Sequence, residues 1–396
     1  MDKQAVTDID VTGKRVLVRV DFNVPVDEKT GAITDDVRIR AALPTIKALT
    51  DRGARVILAS HLGRPDGKVV ESMRLGPVAR RLSELVGKPV ATTPDCIGPE
   101  AERAAARLKN GDLLLLENLR FHAEEEANSP AFAEGLARLA EVYVDDAFGT
   151  AHRKHASIVG VTKHLPSVAG LLLEKELKNL GGLLENPARP FCAVLGGAKI
   201  SDKVGLLQRI MGKVDCVLIG GGMAATFLKA KGLEIGQSLF EADRVETASK
   251  LMEETTKKGI KLVLPVDVVI ADKINAESAS KVVPADRVPP NMRIADIGPA
   301  AVKAFQEQLK DCRTVFWNGP MGVYEVPKFS EGTRALAQTL ASLSASTVIG
   351  GGSTADVVAE LGLENKMTFV STGGGASLSF LSGEKLPGVE ALNDRG

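Results

Sequence analysis

The segment Gly196-Gly197-Ala198-Lys199-Ile200-Ser201-Asp202-Lys203 places two lysines four residues apart behind a pair of glycines. On an opening helix, residues i and i+4 share a face. Two ammonium groups on one face repel unless an anion lies beside or between them. Three glycine triplets point the same way: Gly220-Gly221-Gly222, Gly350-Gly351-Gly352 and Gly373-Gly374-Gly375. Glycine lets a backbone come close to a ligand, and a triplet between a strand and a helix aims N–H groups and the helix dipole at a phosphate. The first half of the chain carries a different chemistry. Asp21-Phe22-Asn23 and His61-Leu62-Gly63-Arg64 each follow an apolar run, and Arg38, Arg120 and Arg153 complete a candidate cluster. Guanidinium forks match phosphate and carboxylate oxygens in bidentate fashion. The first half therefore suits a small polar anion held by side chains, the second a nucleotide approached by backbone.

The elements that must position these residues alternate in type. Apolar, β-branched runs predict strands over 15–20, 55–59, 112–116 and 142–144, then over 191–195, 217–219, 261–264, 314–317, 346–349 and 368–371. They are apolar throughout, as strands buried on both faces are. Amphipathic stretches over 37–51, 75–86, 100–109, 131–140 and 334–343 predict helices between them. The alternation gives a parallel α/β architecture, in which ligands bind beyond the carboxyl ends of the strands. The best boundary between the two chemistries is 167–186, where a strong helical pattern is expected to break at Gly181-Gly182 and Asn186-Pro187.

Composition excludes other classes. The 396 residues suffice for two or three domains, the formal net charge is +0, and 44% of residues are apolar. A nucleic-acid or membrane-surface binder would carry a basic excess. No run reaches the ~18 apolar residues of a membrane span, and the polar amino terminus carries no apolar signal region. Cys96, Cys192, Cys216 and Cys312 are far apart in the sequence and outline neither a zinc knuckle nor a disulfide framework, which fits a reducing cytoplasm. All five histidines precede residue 165 and most arginines precede residue 154, an asymmetry that favours an anion site in the first half. There is no Walker P-loop, no Gly-x-Gly-x-x-Gly opening a βαβ unit, no Gly-x-Ser-x-Gly elbow and no zinc-ligand spacing.

Longer segments are more specific. Val16-Leu17-Val18-Arg19-Val20-Asp21-Phe22-Asn23-Val24-Pro25, Ser60-His61-Leu62-Gly63-Arg64-Pro65 and Glu117-Asn118-Leu119-Arg120-Phe121 come in this order. Asp145-Asp146-Ala147-Phe148-Gly149-Thr150-Ala151-His152-Arg153, the lysine segment, Trp317-Asn318-Gly319-Pro320-Met321-Gly322 and Ser371-Thr372-Gly373-Gly374-Gly375-Ala376-Ser377 follow. Together they resemble the phosphoglycerate kinase family along nearly the whole chain. The resemblance implies an α/β fold of two doubly wound parallel-sheet domains flanking a cleft and joined by a helix. The amino-terminal, phosphoglycerate-binding domain would take 1–169 plus 380–396, the interdomain helix 170–187, and the carboxyl-terminal nucleotide-binding domain 188–379.

By the same resemblance, Asp21, Asn23, Arg38, His61, Arg64, Arg120 and Arg153 would hold 3-phosphoglycerate or 1,3-bisphosphoglycerate. Lys199, Lys203, Ile294, Glu325, Gly351, Gly352, Ser353 and Thr354 would hold ATP or ADP with Mg2+, the metal's protein ligands being unassigned. Arg38, Lys199 and the backbone at Gly373 and Gly374 would neutralise the moving phosphoryl group. A cytoplasmic, hinge-bending monomer with no nucleic-acid or membrane partner is implied as well. The chain departs from the family at Ser353, where aspartate is usual, at Tyr324 for phenylalanine, and at Ile294, where many relatives have glycine. The first bears on metal geometry and the third on the purine pocket. A dehydrogenase of similar architecture would need the missing dinucleotide fingerprint. A non-catalytic binding protein would not need both Arg38 and Lys199.

Overall fold

The apolar runs become the central strands of two parallel sheets. The computed structural model describes residues 3–27 and 29–395. The chain folds as two units, one up to Lys178 together with the segment from Lys385 onward, the other Asn179–Glu384.

In the first unit the strands are β1 (Arg15–Arg19), β2 (Arg55–Ala59), β3 (Val90–Thr92), β4 (Leu113–Leu115), β5 (Val142–Asp145) and β6 (Ser167–Ala169). They form one sheet in the order β3-β4-β2-β1-β5-β6, parallel throughout. Four of the five residues of β1 and of β2 are buried, as a sheet covered on both faces requires. Alternate residues Val16, Val18, Val56 and Leu58 join Ile39, Ile46 and Leu49 of helix Val37–Asp51 in one core. The carboxyl-terminal segment is tied to this unit: the Asn393 N–H donates to Ser167 O at 2.9 Å and the Gly388 N–H to Ala151 O at 2.8 Å.

In the second unit the strands are β7 (Phe191–Leu195), β8 (Cys216–Ile219), β9 (Lys261–Val263), β10 (Asp267–Ala271), β11 (Ser280–Pro284), β12 (Arg293–Ile297), β13 (Thr314–Asn318), β14 (Ser346–Gly350) and β15 (Phe369–Val370). A six-stranded parallel sheet runs β15-β14-β13-β7-β8-β9, and a three-stranded antiparallel sheet runs β11-β10-β12. The small sheet escaped the sequence pattern. Four of the five residues of β11 are exposed, and β12, though three of its five residues are buried, is interrupted by Arg293 and Asp296, so neither reads as a continuous apolar run.

Helix Leu171–Glu185 carries the chain from one unit into the other and runs straight through Gly181-Gly182. The expected break at the two glycines is therefore corrected. A mid-helix glycine costs only about 1 kcal/mol, whereas the residue before a proline is driven out of helical conformation. Asn186-Pro187 is the effective stop.

Candidate active site

Arg19 in β1 lies in register with Ala59 of β2 and with Asp145 of β5. Residues 20–23, 60–64 and 146 therefore leave the sheet side by side. Asp21 Oδ2 accepts a hydrogen bond from Arg38 Nη1 at 2.9 Å, and Asp21 Oδ1 accepts the Asn23 N–H at 3.2 Å. Asn23 Oδ1 accepts the Gly63 N–H at 2.8 Å, while Arg120 Nη1 donates to Gly63 O at 2.9 Å. Both side chains thus grip the backbone of one residue, on either side of its Cα. That residue needs to be glycine, because a positive φ is adopted freely only without a Cβ: at Gly63 φ is +65°, and a Cβ would fall 2.8 Å from Met73 Sδ. Arg64 and Arg153 are exposed, and their guanidinium groups make no hydrogen bond or ion pair among the described residues. The structure so links Asp21, Asn23, Arg38 and Arg120 through hydrogen bonds, sets His61 in the field of Arg120 and Arg38, and leaves two cations beside them open to solvent.

His61 is buried, and its Nδ1 lies 3.2 Å from Arg19 Nη2. A guanidinium can only donate, so Nδ1 is the acceptor and Nε2 carries the proton. Burial, then the charges of Arg19, Arg120 and Arg38, hold the imidazole pKa well below its usual value. His155 is pushed down to about 4 by burial and by Arg120, Arg19 and Arg153. Burial also lowers the pKa of Arg120. The two imidazoles stay neutral because burial first, and then the surrounding arginines, disfavour their charged form; those same cations make the field an anion seeks.

Two residues that sequence reasoning did not single out organise this network. Arg19 is 1% exposed and also donates to Ser157 Oγ at 2.9 Å. Ser157 Oγ in turn donates to the buried Glu125, whose carboxyl pKa burial raises. An arginine inside Val16-Leu17-Val18-Arg19-Val20 was the available signal, since such a group is almost never buried unpaired. Asn118, fully buried, accepts the N–H groups of Leu62 and Arg120 at 3.2 and 3.1 Å and donates to Leu62 O and Met73 O at 2.8 and 2.9 Å. It fixes the loops after β2 and β4 relative to each other.

In the second unit Asn318, at the end of β13, pairs with Leu195 of β7 and Gly350 of β14. The buried Lys203 ammonium donates to Asn318 Oδ1. Burial brings its pKa down to about 8 against a weaker opposing pull from Asp202. Lys199 is exposed. The expectation that the two lysines share a face of one opening helix is corrected: residues 199–203 form bends and turns, and the helix begins at Val204. Glu241 holds that turn, accepting Ser201 N–H at 3.1 Å and Ser201 Oγ at 2.5 Å. The glycines here pack loop on loop. A Cβ at Gly196 would lie 2.1 Å from Pro320 O, and one at Gly319 2.4 Å from Gly196 O.

Gly351, with φ +90°, caps helix Gly352–Glu360. Ser353 is half-buried in its first turn, and Thr354 is fully buried, its Oγ1 accepting the Gly319 N–H at 2.7 Å. Thr354 thus fastens the loop after β13 to the loop after β14. The Gly373 N–H is turned onto Ser371 Oγ at 3.1 Å, whereas space around Gly374 and Gly375 is open.

A cavity of about 440 Å³ lies beside these loops, lined by Gly197, Gly221, Ile294, Pro320, Val323 and Glu325 among others. Its size and mainly apolar wall suit a planar heterocycle. Ile294 takes part with its backbone fixed, the N–H donating to Ser238 Oγ at 2.9 Å. Asp296, also on the wall, accepts the N–H groups of Ile297 and Gly332 at 2.8 Å each, and burial pushes its pKa up to about 7.

Lys203, Asn318, Thr354 and Gly351 are thus joined through strand ends, and Ile294 and Glu325 line the adjoining cavity. The family model described as phosphoglycerate kinase fits residues 6–384. The chain is 56% identical over 395 residues to the phosphoglycerate kinase of Pelotomaculum thermopropionicum, covering 100% of both sequences. It is 57% identical over 389 residues to that of Synechococcus sp. strain WH7803, covering 97% of this chain and 96% of the relative. Its fold is similar to the solved phosphoglycerate kinase from Coxiella burnetii, with a TM-score of 0.87 at 40% identity over 98% of each chain. It is similar also to the one from Pyrococcus horikoshii OT3, with a TM-score of 0.86 at 32% identity over 98% of each. The chain belongs to the phosphoglycerate kinase family.

Proposed function

We propose that the first unit holds the three-carbon acid and the second the nucleotide, and that the chain moves a phosphoryl group reversibly between 1,3-bisphosphoglycerate with ADP and 3-phosphoglycerate with ATP, as a step of glycolysis. The observation that carries this reading is the cationic field around the neutral His61, with Arg64 and Arg153 open to a ligand. A β-phosphate oxygen of ADP attacks the phosphorus of the acyl phosphate, the bond from phosphorus to the acyl oxygen breaks, and a carboxylate leaves. Run in reverse, the nucleophile is that carboxylate, already ionised at neutral pH. No proton moves, so no general base is needed. Catalysis is positioning plus neutralisation of charge on the transferring oxygens. Asp21, Asn23, His61, Arg64, Arg120 and Arg153 bind the acid. Arg38, Lys199 and the backbone at Gly373 and Gly374 meet the moving group. Lys203, Glu325 and the 351–354 loop hold the nucleotide.

Acyl phosphates hydrolyse readily, so closure around both substrates would protect the reaction from water. Neither substrate alone engages both half-sites. Solution scattering should therefore show little compaction with 3-phosphoglycerate or MgADP alone and clear compaction with both. The same radius of gyration in all four ligation states would remove the hinge from the account. The chain is taken to act as a cytoplasmic monomer. Zero formal net charge supports the absence of a nucleic-acid partner, and among the described residues no helix is long and apolar enough to cross a membrane.

The 350–354 loop offers a metal only neutral oxygen, from the half-buried Ser353 hydroxyl and the backbone. That donor set fits a magnesium ion that keeps several waters and leans on substrate phosphates. Ser353 would hold it through its hydroxyl, and the ion would supply neutralisation of phosphate charge. Ser353→Asp restores a carboxylate and should tighten apparent magnesium affinity without abolishing turnover. Magnesium titrations at fixed nucleotide decide it: superimposable curves, or weaker affinity in the aspartate form, would show that Ser353 does not face the metal.

A further inference from the structure

One group of metal-ligating side chains lies in the first unit and serves neither the acid site nor the nucleotide site. Asp95 and Cys96 sit in the loop between β3 and helix Pro99–Arg107, and His122 joins the turn Leu119–Phe121 to helix Ala123–Glu126. A carboxylate oxygen of Asp95, the Cys96 sulfur and an imidazole nitrogen of His122 all lie within 4.8 Å of one another. His122 Nε2 is 2.7 Å from Asp95 Oδ1, which also accepts the Cys96 N–H at 2.6 Å. The His122 ring packs on Phe132, with centroids 5.2 Å apart. No spacing motif announces the trio, because two separate loops supply it.

We infer that Asp95, Cys96 and His122 form a Zn2+ site in the first unit, with a water in the fourth position. Donor chemistry selects the ion. Thiolate and imidazole favour zinc over magnesium or calcium, which take oxygen. Three protein ligands and a water complete the tetrahedron that zinc adopts. Charge balances too: one carboxylate and one thiolate offset the dication, and the imidazole binds as the neutral ring. Ligands at ~2.0–2.3 Å from a tetrahedral zinc stand about 3.5 Å apart. The three donors therefore need to draw in by little more than about 1 Å. Exposure supplies the entry. The Asp95 and His122 side chains are 49% and 27% exposed, whereas Cys96 is 0% exposed. The ion arrives on the carboxylate and the imidazole and closes on the thiol. Glu125 is left out of the set, because Ser157 occupies both of its oxygens.

Binding exchanges a proton for the metal. Burial, then the charge of Asp95, holds the Cys96 thiol well above its usual pKa, so without metal it keeps its proton. Zinc deprotonates a coordinating thiol outright, and that proton leaves to solvent. The ion takes the place of the hydrogen bond between His122 and Asp95. The consequence follows from the two loops involved. His122 stands two residues after Arg120, whose Nη1 holds Gly63 O. A shared ion fastens the 93–98 loop to the turn that carries Arg120.

The full chain, stripped with a chelator and kept reduced, is titrated with Co2+ as a spectroscopic stand-in for zinc. It should develop the near-ultraviolet charge-transfer band of a cobalt–thiolate bond, complete at one equivalent. Zn2+ should abolish the band by displacement, and excess Mg2+ should leave it unchanged. Cys96→Ala should show no band, and Cys96→Ser serves if the alanine form folds poorly, with circular dichroism reporting folding. Asp95→Asn and His122→Gln should each weaken Zn2+ binding, measured by calorimetry, by more than the ~10–100-fold that loss of an outer-shell partner costs. Cys312→Ala should bind as the wild type does. On addition of Zn2+, hydrogen exchange should slow in peptides covering 93–98 and 117–123. No band in the wild type, a band that survives in the Cys96 variants, or Zn2+ affinity unchanged in both Asp95→Asn and His122→Gln would each overturn the inference.

Discussion

Arg38→Ala is expected to lower kcat at least ~100-fold, the range for loss of a preorganised charge stabiliser. The motive is chemical. With no proton to transfer, neutralising the phosphoryl oxygens is the main catalytic task left to side chains. Arg38 reaches from helix Val37–Asp51, is 40% exposed, and is steadied by Asp21, itself 13% exposed, at 2.9 Å. That pairing leaves most of its guanidinium fork free to turn to a ligand. Lysine should rescue only in part, because it supplies charge without the planar fork. Steady-state kinetics at saturating substrates checks it. A kcat within twofold of wild type in the alanine form would take Arg38 out of the catalytic role.

The second large effect concerns Lys203. Lys203→Met removes a buried ammonium and leaves Asn318 Oδ1 without its donor, so nucleotide KM should rise about 10- to 100-fold, the worth of a hydrogen bond to a charged group. The wild-type pH dependence has a definite sign. Burial disfavours the charged form and brings the pKa to about 8. Lys203 is thus mostly protonated at pH 7 and loses its charge as pH rises through 8. Affinity for the anionic nucleotide should fall between pH 7 and 9 in the wild type, while the methionine form binds weakly at both. Equilibrium nucleotide titrations across that range decide it. A wild-type curve that is flat, or one matched by the methionine form, would place Lys203 outside the nucleotide site.

Much of this arrangement was legible in the sequence, for physical reasons. Strands such as Phe191–Leu195 and Thr314–Asn318 are buried along their whole length and so announce themselves as unbroken apolar runs. The polar residues that follow them mark the mouths of the sheets. What stayed hidden depends on three-dimensional pairing. The exposed strand Ser280–Pro284 and the strand Arg293–Ile297, broken by Arg293 and Asp296, have no unbroken apolar pattern. The tautomer of His61 is set by Arg19, a residue 42 positions away. The helical face expected for Lys199 and Lys203 fails because Glu241, far along the chain, holds Ser201 in a turn.

The central claim, phosphoryl transfer between an acid held by the first unit and a nucleotide held by the second, is tested most directly by one coupled assay. The chain is given 3-phosphoglycerate and MgATP, and formation of 1,3-bisphosphoglycerate is followed through its enzymatic reduction with a nicotinamide cofactor. The account predicts saturable turnover that requires both substrates and vanishes when either is left out. ATP consumption that proceeds without 3-phosphoglycerate, or no product when both are present, would contradict it.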